Sequence, residues 1–423
     1  TSHLGRDRIR ELDELGREVM TQTEGLHPVR RVYDPRGRVL AINEGPEPET
    51  SETRTTTLGY WETSDHRNGL LWWVQDPLGR TIHLDYDAAG RIVEGTLPDG
   101  RMLSATYDDN GNLSSITPPG RPAHGFGYTP MNLESKYDPP LPEPTPLPAI
   151  ADPATYYAYN DDGQMTHVTR PDGGVIEYVY DDSPANTGQL QTEILPAGQG
   201  QIGYTYHPEM ASSGAGLVET ITAPDGGVLS YSYFGSLVFQ EIWDGSGSGM
   251  PSGSVERVYD SQRRVSAQTI NYQSPAIAFL YDDDGFLTNA GDLTLGRDPE
   301  NGLLVGSLLG AVSDTYLRND FGEVTDYTAA VSGTPVLETT YGRDEVGRID
   351  WKTEAVEGGA VESTFYEYDT AGRLYRVCDD APCAAIRAEY TYDLNGNRTG
   401  GFDEVSGAIP ATYDTQDRLL AHR

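Results

Sequence analysis

A tyrosine-aspartate pair followed by a glycine returns along this chain at an interval near 21 residues. Tyr-Asp or a near variant stands at Tyr33, Tyr86, Tyr107, Tyr180, Tyr259, Tyr281, Tyr368, Tyr392 and Tyr413, and the steps 86 to 107, 107 to 128, 159 to 180 and 392 to 413 each span 21 residues. A fixed short period marks a stacked-repeat architecture, in which one supersecondary unit leans on the next. After each pair comes a turn: Tyr86-Asp87-Ala88-Ala89-Gly90-Arg91, Tyr107-Asp108-Asp109-Asn110-Gly111-Asn112, Tyr368-Asp369-Thr370-Ala371-Gly372-Arg373. The carboxylate is suited to accept from backbone N–H groups two or three residues on, and glycine supplies positive φ without a steric penalty. Flanking segments such as Ile92–Leu97 and Met102–Tyr107 have strand character, and Pro98-Asp99-Gly100 between them is a second turn, echoed at Pro171-Asp172-Gly173 and Pro224-Asp225-Gly226. Each unit therefore reads strand, turn, strand, turn, with strands of about 6 to 8 residues, or roughly 20 to 27 Å. A four-stranded propeller blade needs a period of about 40, so the spacing favours a continuous antiparallel ribbon of hairpins, although paired units can imitate blades.

Composition fits a thin sheet. Apolar residues are only 37% of the 423, yet 27 are Tyr against 8 Phe, too polar for a thick core and too aromatic for disorder. Tyr has high strand propensity, and its hydroxyl is expected to meet water while its ring is buried. The 65 acidic residues against 30 basic ones give a net charge of −35, which repels nucleic acid and anionic lipid alike. Lys136 and Lys352 are the only lysines, a bias shared by proteins of saline habitats and of GC-rich genomes. No run reaches the roughly 18 apolar residues of a spanning helix, so no transmembrane segment is expected.

The phrases Tyr-Asp-x-x-Gly-Arg-Leu/Ile, Tyr392-Asp393-Leu394-Asn395-Gly396-Asn397-Arg398, Pro118-Pro119-Gly120-Arg121-Pro122 and Tyr413-Asp414-Thr415-Gln416-Asp417-Arg418 resemble the YD-repeat, or RHS, family over nearly the whole chain. The resemblance implies an all-β fold: a long antiparallel sheet of hairpin repeats spiralling into a hollow shell, as in bacterial RHS toxins, the BC cocoon of Tc toxins and animal teneurins. It further implies a secreted or cell-surface scaffold that encapsulates a C-terminal cargo or toxin polypeptide, with the rest of a larger polypeptide as partner. An extracellular adhesion or carbohydrate-binding protein is the alternative, with Trp61, Trp72, Trp73, Trp243 and Trp351 as candidates to stack on glycans or, more simply, to pack between strands.

Repeats are expected over 1–137 and 155–423, separated by a proline-rich linker or excursion over 138–154, where seven prolines interrupt the pattern. The chain reads as an internal fragment of a larger protein. Ile9, Leu12, Leu15 and Val19 have helical spacing, but Leu12-Asp13-Glu14-Leu15-Gly16-Arg17 matches a degenerate repeat with Leu in place of Tyr, so strands are expected there. The Gly/Ser-rich stretch between Trp243 and Val255 reads as a loop tip. Cys378 and Cys383 flank Asp379-Asp380-Ala381-Pro382, and a disulfide clamping a hairpin is favoured over two free thiols, which places the chain in an oxidising compartment.

The search for chemistry yields no enzyme and no cofactor or metal. Gly198-Gln199-Gly200-Gln201-Ile202-Gly203 has dinucleotide-site spacing, but Tyr204-Thr205-Tyr206 continues a strand where a helix N-terminus is required. The eight histidines, His124 and His167 among them, are unpaired at ligand spacing. Asp393, Asn395, Asn397 and Glu404 fall at positions 1, 3, 5 and 12 of a calcium-loop count, but Arg398 occupies the glycine position. Asp76-Pro77-Leu78-Gly79 is similar to the self-cleavage sequence of toxin-bearing relatives, yet it lies in the early repeats and reads as a turn.

Overall fold

The computed structural model describes residues 3–46, 50–143, 152–182, 188–208, 213–245, 247, 249–405 and 407–422. Among them there is no helix. Every strand from Arg8–Leu12 to Gly407–Ala408 pairs antiparallel with its neighbours in sequence, giving one meandering sheet of 35 strands, and Ala411–Tyr413 with Leu419–His422 forms a separate hairpin. The first twenty residues form strands Arg8–Leu12 and Glu18–Thr23 about a turn at Asp13. Most strands have five to seven residues, shorter than the pattern suggested. The reason is local: each turn uses five residues, Asp87–Arg91 on one side and Leu97–Arg101 on the other, so a 21-residue unit leaves about eleven for two strands.

A register shift recurs beside the repeat tyrosine. Tyr86 pairs with Ile92 but Asp85 with Glu94, so Val93 is an extra residue, and equivalent shifts occur at Tyr107, Tyr128, Tyr180, Tyr259, Tyr368 and Tyr392. Bulges bend and over-twist a strand pair. Repeated on one side of every hairpin, they curl the ribbon in one sense.

The curl brings the ribbon back onto itself. Its two edges are distinct: one carries the Tyr-Asp turns, the other (the rear edge) the alternate turns. Rear-edge Arg6 binds Asp282 and Asp284 of a Tyr-Asp turn at 2.8 Å each. Further along the rear edge, the His27 amide donates to the Asp320 carbonyl at 2.7 Å, Arg54 grips Glu323 with two bonds of 2.8 and 2.9 Å, and Arg101 donates to the Leu394 carbonyl at 2.9 Å. Arg121 bridges Asp393 and Asp417, and Gln416 donates to the Pro140 carbonyl at 2.6 Å. All join residues 269 to 296 positions apart, and Asp282 follows the twenty-third strand while Arg6 precedes the first. One revolution thus takes 23 strands at its tightest and 25 where His27 meets Asp320 and Arg101 meets Leu394.

The wall is a single layer. Only Ala154, Cys378, Ala388 and Ala411 are buried apolar residues among those described, and the exposed surface is 24218 Å². A compact protein of this mass exposes about 16,000 Å², so both faces of the sheet are open.

The strands flanking the proline-rich stretch, Glu134–Asp138 and Thr155–Tyr159, pair with each other through Lys136–Tyr156 and Tyr137–Thr155. The sheet therefore continues across that stretch, whose residues 144–151 lie outside the described residues. The Gly/Ser-rich loop is narrower than its sequence suggested, since Trp243 and Val255 both sit in strands and the loop spans 245–252, of which 246 and 248 are not described.

Candidate functional site

The five-residue repeat turn recurs with one geometry, whereas the connections after Tyr60, Tyr180, Tyr206 and Tyr233 differ in length. At Asp87 the main chain closes with Asp87 N–H to the Arg91 carbonyl at 2.9 Å and Gly90 N–H to the Asp87 carbonyl at 3.0 Å. Asp87 Oδ1 accepts from the amides of Ala89 and Arg91 at 2.9 and 3.0 Å, and Oδ2 accepts from Arg91 Nε at 2.7 Å. The acceptor pattern is two and four residues on, where the sequence suggested two or three. Asp369 repeats it with the Arg373 amide and guanidinium at 2.9 and 2.7 Å. At Asp108 and Asp393 an asparagine, Asn112 or Asn397, takes the arginine's place. Gly90, Gly111, Gly372 and Gly396 adopt φ of 79, 92, 84 and 94°, a region closed to β-branched residues. The Arg91 side chain, with the amides of Arg91 and Ala89, holds the Asp87 carboxyl below the usual carboxylate range. At Asp369 burial pushes upward, and the Arg373 amide and guanidinium outweigh it.

The tyrosine before each aspartate ties one unit to the previous one. Tyr86, Tyr107, Tyr368 and Tyr392 donate their hydroxyls to the carbonyls of Leu71, Ile92, Ile349 and Leu374 at 2.8, 2.9, 2.7 and 2.7 Å. The expectation that these hydroxyls meet water is thus corrected: they satisfy carbonyls beside the bulges, where the ladder is interrupted. Burial pushes the phenols of Tyr86, Tyr368 and Tyr392 up, keeping them protonated donors. The arginine of one turn also lies over the tyrosine of the next unit, Arg91 over Tyr107 at 4.3 Å, Arg348 over Tyr368 at 4.0 Å and Arg373 over Tyr392 at 4.6 Å.

Sequence reasoning missed that arginine can fill the tyrosine's place. Arg297, Arg318 and Arg343 donate to the carbonyls of Leu287, Leu304 and Val324, the same bond from a different donor. The signal was present: Arg297-Asp298 and Arg318-Asn319 are 21 residues apart, in the gap between Tyr281 and Tyr368.

Three tryptophans have structural work. Trp73, Trp243 and Trp351 lie flat on the glycines that pair with them across the sheet, Gly59, Gly253 and Gly342, and a Cβ on any of these would fall inside the indole. Aromatic cover of a cross-strand glycine restores the packing that glycine lacks. Trp61 and Trp72 pair with each other at 4.9 Å, with Arg67 over Trp61 and Trp72 39% exposed. Residues 198–203 form a turn running into strand Gln201–Tyr206, and Asp76 caps a rear-edge turn through Arg80. Asp393 of the calcium-like count is engaged by Asn395, Asn397 and Arg121. Among the described residues no group of three or more His, Cys, Asp or Glu is arranged to hold a metal.

Replacing Asp369 with Ala removes the two bonds from Arg373 and leaves that guanidinium half-buried. A local loss of about 2 kcal/mol is expected, read by hydrogen exchange over Tyr368–Leu374, whereas Asp369→Asn should lose less. Cys378 and Cys383 have Cα atoms 5.4 Å apart and sulfurs at bonding distance. Intact-mass measurement after non-reducing alkylation should show no modified thiol; two alkylated cysteines would remove the link.

Similarity to known proteins follows the geometry. The family model described as Teneurin YD-shell matches residues 10–422. The probable deoxyribonuclease RhsB of Dickeya dadantii (strain 3937) is 28% identical over 188 residues, 44% of this chain and 12% of that protein. The structure of the Photorhabdus luminescens Tc holotoxin pore superposes with a TM-score of 0.74 over 97% of this chain and 24% of its own, at 13% identity, and that of TcdB2-TccC3-TEV with 0.67 over 98% and 26%, at 12% identity. The chain therefore spans about an eighth of the relative and a quarter of each toxin chain, and the toxin structures speak for the fold alone. A match over all but the first nine residues and the last, on a ribbon in which the same turn recurs from unit to unit, makes this chain a member of the teneurin YD-shell family.

Proposed function

We propose that this chain is a non-enzymatic section of shell wall that encloses a cargo polypeptide belonging to the same, longer protein, outside the cell or at its surface. The observation that carries this is the seam: a single-layer sheet whose edge meets itself after 23 strands surrounds space without filling it. At about 4.8 Å per strand the circumference is about 110 Å and the backbone diameter about 35 Å, leaving roughly 25 Å after inner side chains. A helix of about 10–12 Å fits this bore. A folded 100-residue domain, with a radius of gyration of about 13 Å and hence a diameter near 34 Å, does not, which favours unfolded or partly folded cargo. The deoxyribonuclease named in the RhsB relative belongs to that protein; none of the turn aspartates here is arranged for such chemistry, since each is committed to its own turn. The test is limited proteolysis of the natural full-length polypeptide. The segment following the repeats should resist cleavage while the wall is folded and be cut when released, and equal cutting in both states would sink the reading.

Glycan adhesion is the second reading, favoured by the Trp61–Trp72 pair, of which Trp72 is exposed. Binding on a glycan array that disappears in Trp72→Ala would support it.

A further inference from the structure

We propose that the seam is a separable joint, the line along which this wall opens to solvent while the ribbon itself stays continuous. Within the ribbon each strand is held by a backbone ladder to both neighbours. Among the described residues no ladder crosses the seam. It is held instead by side chains and a few amides: Arg6 on Asp282 and Asp284, Arg54 on Glu323, Arg121 on Asp393 and Asp417, and the His27 amide on Asp320 with the His27 ring edge-on to Phe321 at 4.7 Å. The seam arginines are the better-buried ones, Arg6 10% and Arg54 15% exposed, against 19% for Arg38 and 32% for Arg91 in ordinary turns. Shielded pairs of this kind hold an interface in register, yet each is a handful of atoms rather than a strand.

Charge is distributed along the rear edge as such a joint requires. Where the edge is covered it carries Arg6, Arg54, Arg80, Arg101 and Arg121, facing acidic Tyr-Asp turns. Basic residues on one edge thus meet acidic residues on the other, the charge complementarity of a recognition surface. Opening it converts a closed bore into a slit, which adds a route for cargo to the enclosing role proposed above and rests on that role.

The experiment is hydrogen exchange on the chain without cargo. Arg54→Glu and Glu323→Arg should each raise exchange of the His27 amide about tenfold or more, with strands Thr81–Tyr86 and Gln201–Tyr206 and the circular dichroism unchanged. The double exchange of both charges should restore much of the protection. If a single variant fails to fold, the unmodified chain at low and at about 1 M salt gives the same comparison, because screening weakens the seam pairs before the ladders. Unchanged His27 exchange, or strands that open together with it, would overturn the joint. Because cargo is absent, that outcome leaves the enclosing role to its own proteolysis test, and an unprotected cargo beside a seam that opens as described would sink the enclosing role alone.

Discussion

Gly342→Val is expected to be among the most damaging single substitutions in this chain. Gly342 pairs with Trp351 across strands Thr334–Arg343 and Ile349–Val356, and the indole lies where a Cβ would stand. The backbone there is ordinary strand, so the penalty comes from expelling the ring and not from strain in φ. Overpacking and the lost cover together should cost on the order of 3 kcal/mol. Thermal unfolding and tryptophan fluorescence give the readout, since the displaced ring enters water. Trp351→Ala combined with Gly342→Val should recover part of the loss, because the two residues share one space. A variant melting like the parent with unaltered fluorescence would refute the assignment. Equivalent effects are expected at Gly59 under Trp73 and Gly253 under Trp243.

That pairing shows where sequence reading stops. The 21-residue period, the turn glycines and the strand character of the segments between them are local, and residues such as Asp87, Gly90 and Ile92 announce them within a window of six. The sheet and its lack of a helix follow directly. The partner of Trp351 is not local, because it depends on register across a hairpin whose bulge moves every later pairing by one. The tyrosine's role stayed hidden for the same reason: Tyr107 finds the Ile92 carbonyl only once the intervening strands are paired. The seam lies furthest from view. Arg54 and Glu323 are 269 residues apart, and their meeting depends on the curvature summed over 23 bulged strands. Even so, the run of rear-edge arginines at Arg54, Arg80, Arg101 and Arg121 is written in the sequence. It becomes meaningful only when the two edges are known to be different surfaces.

Acid should unfold this chain over a narrow range beginning near pH 4. The turn carboxyls of Asp13, Asp34, Asp87, Asp108, Asp260, Asp369 and Asp414 and the seam carboxyls of Asp282, Glu323 and Asp393 all lie below their ordinary values. At Asp13 and Asp260 the amide of the arginine four residues on leads the effect, and at Asp87 its guanidinium does. At Glu323 burial pushes upward and the Arg54 and Asn319 bonds outweigh it. A depressed carboxyl contributes stability that is present above its unfolded value of about 3.9 for Asp or 4.3 for Glu and is lost as pH falls through the folded value. Between pH 7 and 5 the opposite tendency operates: the net charge of −35 shrinks as the pI of about 4.4 is approached, and self-repulsion relaxes. Melting temperature at low protein concentration should therefore hold steady or rise slightly from pH 7 to 5 and then fall steeply below pH 4. The raised phenols of Tyr86, Tyr368 and Tyr392 act in the other direction, so their contribution is full below the unfolded value of about 10 and is lost as pH climbs past it. A melting temperature unchanged between pH 5 and 2.5 would mean that the turn aspartates do not hold their turns as carboxylates, and the structural role given to the Tyr-Asp pair would fall with it.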